Sequence, residues 1–134
     1  MTHAYASIEI DRSADTLWQR IGGFGALPDW LPPIARSEAS EGGRIRTLTD
    51  VDGNTIVERL LAYSDEERSY RYSIVQGPAP VRDYVATLRV APISSSRSRV
   101  EWFSSFTPDG IDEADAVAMF NGLYAKGLEA LKDN

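Results

Sequence analysis

Residues 4–10 alternate small or apolar side chains with polar ones, the two-residue period of a half-buried strand. From residue 13 the period lengthens. Ser13 is placed to cap a helix, Asp15 suits its first turn, and Leu17, Trp18 and Ile21 form one stripe. Gly22-Gly23 marks its end. A second, short helix is predicted over residues 24–31, stopped by Pro32-Pro33. From 35 to 107 the short period returns, and strands are predicted near 35–40, 44–50, 55–64, 69–76, 81–92 and 98–107. Breaks fall at Gly42-Gly43, Asp52-Gly53, 65–68, 77–80 and 94–96, and Asp52-Gly53 has the form of a two-residue hairpin turn. Residues 111–132 carry the longest helical pattern. Ala116, Phe120, Leu123, Tyr124, Gly127 and Leu131 recur at three- and four-residue spacing, with Asp112, Glu113 and Asp115 at the start and Lys126 and Lys132 towards the end.

Strands joined by short turns pair antiparallel. One face of such a sheet needs a cover, and only the final helix is long enough to supply it. The chain therefore reads as an α+β protein of one domain, residues 1–134: a curved antiparallel sheet, two short helices after its first strand, and a long C-terminal helix.

Alternation assigns the faces. Tyr70, Tyr72 and Ile74 share a side, as do Tyr84, Ala86, Leu88 and Val90, and Val100, Trp102, Ser104 and Phe106. Arg71, Ser73, Asp83, Thr87, Arg89, Glu101 and Ser105 lie opposite. The first set faces the helix. Trp30, Phe120 and Tyr124 join it from the helices, so the candidate ligand-binding residues are Trp30, Tyr70, Tyr72, Tyr84, Trp102, Phe106, Phe120 and Tyr124. A tight core favours Leu, Ile and Val, whereas aromatic walls with a few convergent hydroxyls describe a pocket. The competing reading is that the rings fill a solid core.

Glu58 is the candidate acid or base. With a two-residue turn at Asp52-Gly53, it shares a face with Ile56, Leu60 and Ala62, across from Ile45, Thr47 and Thr49. A carboxylate among apolar neighbours has a raised pKa unless a cation meets it. Two other readings stand beside this one: a bulge that turns Glu58 to solvent, and a structural pair with Arg46 or Arg59.

Composition removes several classes of function. The net charge of -6 argues against a nucleic-acid partner and against docking on an anionic membrane. There is no cysteine, so disulfides and zinc–thiolate sites are out. The single histidine, His3, is expected in a frayed terminus, which leaves no histidine–metal site. Asp50-Val-Asp52-Gly-Asn54 begins like a calcium loop but has Thr55 and Leu61 where glycine and glutamate belong. Gly22-Gly23-Phe24-Gly25 lacks phosphate-loop spacing. The cluster from Asp109 to Asp115 is a helix start rather than a metal site. No metal or cofactor is expected. The first residues lack a signal-peptide pattern and no apolar run approaches a membrane span, so the expected location is cytoplasmic, without membrane insertion. Phe103 on the outer face hints at a protein partner, and either a monomer or a homodimer is consistent with the sequence.

Several segments, taken in order, resemble the SRPBCC group, the START and birch-pollen-allergen helix-grip superfamily. They are Ser13-Ala-Asp-Thr-Leu-Trp18, Phe24…Trp30-Leu-Pro, Gly43-Arg-Ile-Arg-Thr-Leu48, Val57-Glu-Arg-Leu-Leu61, Tyr70-Arg-Tyr72…Gly77-Pro-Ala-Pro-Val81 and Val100-Glu-Trp102. The similarity covers nearly the whole chain and is nearest to bacterial polyketide cyclase/dehydrase type 2 members. It implies a seven-stranded sheet gripping the last helix around a deep apolar cavity. It also implies functions ranging from binding of lipids and hormones to cyclisation of aromatic polyketides. No catalytic residue carries over by identity. Three readings follow: binding of a small hydrophobic or aromatic molecule, a cyclase or dehydratase using Glu58 and pocket tyrosines, or an interaction module with a filled core.

Overall fold

The structure, a computed structural model, describes residues 1–133. The chain runs β1 (Thr2–Ile10), α1 (Ala14–Ile21), α2 (Leu27–Trp30), β2 (Ile34–Ser40), β3 (Ile45–Asp50), β4 (Thr55–Ser64), β5 (Ser69–Gln76), β6 (Val81–Ser94), β7 (Arg97–Pro108) and α3 (Glu113–Glu129). A short 3-10 turn at Glu41–Gly43 links β2 to β3, and another at Ala130–Asp133 continues α3. The seven strands form one antiparallel sheet in the order β1-β7-β6-β5-β4-β3-β2. This is the predicted α+β helix-grip architecture, with α3 against the concave face.

Local chemistry explains the helices. The Ser13 side chain accepts from the Thr16 N–H, so α1 starts where the capping pattern placed it. Leu17 and Ile21 are fully buried by its inner stripe. The second helix is shorter than predicted, because only Leu27–Trp30 close helical bonds. His3 is an ordered part of β1, paired with Ser105, rather than a frayed end. The inner stripe of α3 is Ala116, Phe120, Tyr124, Gly127 and Leu128, followed by Leu131. Leu123 turns outward and is 48% exposed, because the stripe drifts round the helix and Leu128 takes the inward place.

Two registers depart from expectation, and both matter for the interior. Asp50 accepts the Gly53 N–H through its carbonyl, and its own N–H donates to the carbonyl of Asn54. The Asp50 carboxylate also accepts from the N–H groups of Asp52 and Asn54. Residues 51–53 therefore form a three-residue loop, with Gly53 in the left-handed region at φ 87°. One extra loop residue slides β3 by one position. Glu58 faces Arg46, with Leu48 next to it across from Ile56, instead of facing Ile45, Thr47 and Thr49. The second departure is a bulge in β4 between Leu60 and Ala62. It sends Ala62 to the solvent side and brings Tyr63 opposite Tyr70.

Candidate functional site

The sheet delivers its aromatic side chains to the face predicted. Tyr70 and Tyr72 come from β5, Tyr84 from β6, and Trp102 and Phe106 from β7. Trp30 comes from α2, and Phe120 and Tyr124 from α3. All are buried. They meet each other in a continuous set of ring contacts. Trp102 stacks on Tyr124 with centroids 4.5 Å apart, Phe106 meets Phe120 at 5.0 Å, Tyr84 meets Phe120 at 5.1 Å and Trp30 meets Trp102 at 5.9 Å. Such offset and tilted pairs are the favoured geometries of aromatic rings. The rings thus occupy the grip themselves. Open hollows on the surface include one of about 530 Å³ beside Arg12, Thr16, Gln19 and Arg20, and one of about 460 Å³ that reaches Glu66, Arg68, Arg89 and Phe103. Neither is lined by a member of the aromatic set.

Polar groups run through this apolar interior. The Tyr84 and Tyr124 hydroxyls share a hydrogen bond. Ser104 lies against Tyr124 as a second polar neighbour. Trp102 Nε1 donates to the Tyr72 hydroxyl at 3.1 Å. The Trp30 Nε1–H is buried without a hydrogen-bond partner among the described residues. Burial pushes Tyr124 up to about 12. It raises Tyr72 and Tyr84 well above the ordinary phenol value too, with nearby Glu58 adding to Tyr72 and the neighbouring Tyr72 and Tyr124 adding to Tyr84.

The most polar point is a pair that the sequence offered only as an alternative. Arg46 is 1% exposed and Glu58 6%. Arg46 Nε donates to Glu58 Oε1 at 2.8 Å, and Nη2 lies 2.7 Å from the same oxygen as an ionic contact without hydrogen-bond alignment. Nη1 donates to the Phe24 carbonyl at 2.8 Å and to the Tyr70 hydroxyl at 3.2 Å. The guanidinium also lies over three rings, 4.1 Å from the centre of Phe24, 4.7 Å from Tyr72 and 5.5 Å from Tyr70. Burial alone would depress the guanidinium pKa, but Tyr70, Glu58 and Tyr72 outweigh it and leave Arg46 raised, hence always charged. For Glu58, burial raises the carboxyl pKa, and Arg46 pulls it part of the way back. Of the two other readings of Glu58, solvent exposure is excluded and the pair with Arg46 is present. Arg59 is not the partner; it turns outward towards Glu41, 3.9 Å away.

Phe24 and Arg46 are the members of this site that face assignment missed. Phe24 lies in a loop with no period to read. Arg46 was hidden by the one-residue loop difference, although the Asp50…Asn54 pattern of an Asx turn could have revealed it. Phe103 is half-buried rather than exposed, because Tyr5 of the neighbouring strand covers it with ring centroids 6.4 Å apart. Among the described residues no cluster of His, Cys, Asp and Glu is arranged to hold a metal, and no helix is long and apolar enough to cross a membrane.

The whole chain, residues 1–134, matches the family model described as polyketide cyclase / dehydrase and lipid transport. Among solved structures, the protein XoxI from Bacillus cereus is 46% identical, with a TM-score of 0.97 over 99% of this chain and 94% of that one. An uncharacterised protein from Bacillus thuringiensis is 45% identical, with a TM-score of 0.96 over 98% of this chain and 96% of that one. The Zhui aromatase/cyclase from a Streptomyces species, at 16% identity and a TM-score of 0.75 over 98% of this chain and 88% of that one, shares the fold alone. No curated protein matches.

Proposed function

Because the chain belongs to the polyketide cyclase / dehydrase and lipid transport family, we propose that it binds a small hydrophobic or aromatic molecule between its sheet and α3. The observation that carries this reading is the polar content of the aromatic grip. A buried ion pair is a poor way to stabilise a core, since well-packed apolar residues of similar size do as well or better. Here such a pair lies in one interior with the hydroxyls of Tyr72, Tyr84 and Tyr124 and an unpartnered indole N–H. Rings with a few convergent polar groups suit a flat ligand that bears oxygen.

Entry requires the rings to part. The tie between α3 and β1 is polar at Thr2–Glu113 and Tyr5–Asn121, whereas over the sheet centre it rests on ring contacts and the Tyr84–Tyr124 bond. A ligand that slides between the rings replaces ring contacts with its own. Titration with anilinonaphthalene sulfonate, competed by naphthol, tests this. Saturable one-to-one binding that Tyr84→Phe and Trp102→Ala weaken is the expected result. Absence of saturable binding by both compounds would sink the proposal and favour the module with a filled core.

A second reading assigns Glu58 to proton transfer in a cyclase or dehydratase. It is supported by the raised carboxyl and by the contact pattern: both Arg46 contacts fall on Oε1, which leaves Oε2 outside the pair. In that role Glu58→Gln stops turnover of a polyketide-like substrate while binding of the fluorescent probe survives. Unchanged turnover removes Glu58 from the chemistry.

A further inference from the structure

The two edges of the sheet are finished differently. At the β1 edge, the Tyr5 backbone N–H donates to Asn121 Oδ1 of α3 at 2.8 Å, and the Thr2 hydroxyl donates to Glu113 at 2.7 Å. The helix closes that edge. The opposite edge is β2, which among the described residues pairs with β3 on one side and with no strand on the other. Ala35, Arg36, Glu38, Ala39 and Ser40 along it are exposed. A free strand edge presents unpaired N–H and C=O groups to any strand that can lie beside it.

The charges on β2 select that strand. Arg36 and Glu38 stand on one face of the strand, two residues apart, with Nε and Oε1 3.3 Å apart and their side chains 67% and 65% exposed. Consider a second copy of β2 laid antiparallel, related by a two-fold axis perpendicular to the sheet. Such an axis keeps like faces together, so it passes through a residue. Through Ser37, it sets Arg36 of each copy opposite Glu38 of the other. Moved to Arg36 or to Glu38, it sets like charges opposite each other, which is unfavourable. The strand is therefore complementary to itself in one register and repels itself in the two adjacent ones. A third observation falls on the same axis. The Ser37 hydroxyl is buried with no hydrogen-bond partner among the described residues. Directly opposed side chains have Cβ atoms about 4.5–5.5 Å apart, so the two copies of Ser37 stand opposite each other at the axis.

We infer that β2 is an interface between two copies of this chain, joined antiparallel about Ser37 into one continuous sheet. The ladder bonds hold the pair together; matched charges add little to it, but like charges set opposite each other repel and weaken it. The inference does not depend on what the grip binds.

Sedimentation equilibrium of the full chain, from roughly micromolar to millimolar concentration, tests it. A reversible monomer–dimer equilibrium is expected. Arg36→Glu alone should weaken the dimer at least about tenfold, and Glu38→Arg alone likewise, since each creates two like-charge contacts. The double exchange, Arg36→Glu with Glu38→Arg, restores opposite charges and should restore the dimer. Both side chains are exposed, so each variant folds, which circular dichroism verifies. A chain that stays monomeric throughout overturns the inference, including the case in which β2 pairs with a strand of another protein. So does a dimer indifferent to the single exchanges, or a double exchange that leaves the dimer weak.

Discussion

At the scale of single residues the interior turns on Arg46 and Glu58. Removing one partner leaves a buried charge unmatched, at a cost of about 3–5 kcal/mol. Arg46→Met should therefore lose about that much stability in urea unfolding. The double variant Arg46→Met with Glu58→Leu should recover most of it, because two apolar side chains fill the space without charge. The buried phenols set the response to base. Their folded pKa values lie above the unfolded value of about 10. The neutral form holds the fold below that pH. As pH rises past it, the unfolded chain releases protons that the folded chain keeps, so stability falls towards about 12, where Tyr124 itself ionises. Absorbance at 295 nm should show phenolate from these residues appearing together with loss of the circular-dichroism signal, not before it.

At the scale of elements, α3 reaches the sheet because Gly127 has no side chain. A Cβ there would lie 2.6 Å from Leu31 Cδ1 and 3.0 Å from the Trp102 ring. Leu31 has a flexible tip that gives way, but Trp102 is held between Trp30 and Tyr124. Gly127→Val should lower stability by about 1–3 kcal/mol through overpacking. Gly122, in the same helix, has open space where a Cβ would stand. Gly122→Ala should raise stability by about 0.5–1 kcal/mol through helix propensity alone, and the two thermal midpoints should move in opposite directions. The far end of the grip is tied by side chains from separate elements: Trp18 Nε1 donates to Asp65 at 2.8 Å, and Arg68 Nη2 donates to Asp15 at 2.7 Å. Deleting the indole donor's partner with Asp65→Ala should increase backbone amide exchange in α1 more than in β6 and β7, which have strands on both sides.

At the scale of the whole molecule, the chain is a sheet with one edge closed by its own helix and one edge open, around an aromatic interior that holds an ion pair and several hydroxyls. The order of elements and the inward face of the central strands were legible in the sequence, because both follow from local period: a two-residue alternation in Tyr84, Ala86, Leu88 and Val90, and a turn signal at nearly every break. The five aromatic candidates on strands, Tyr70, Tyr72, Tyr84, Trp102 and Phe106, reached the predicted face for the same reason. What local period could not determine was register at its weak points. One residue in the Asp50–Asn54 loop exchanged Thr47 for Arg46 opposite Glu58, and one bulged residue in β4 exchanged Ala62 for Tyr63. Each strand pattern is unchanged by such a slip; only contact with the neighbouring strand detects it. In the same way, Phe24 entered the site from a loop, and the packing of ring on ring inside the grip emerged only when side chains from distant parts of the chain competed for one volume. The sequence determined which side chains of β5, β6 and β7 point inward, whereas contact between strands turned Arg46 and Leu48 of β3 and Tyr63 of β4 inward. Tertiary structure decided which of them meet, and so gave the buried carboxylate its cation.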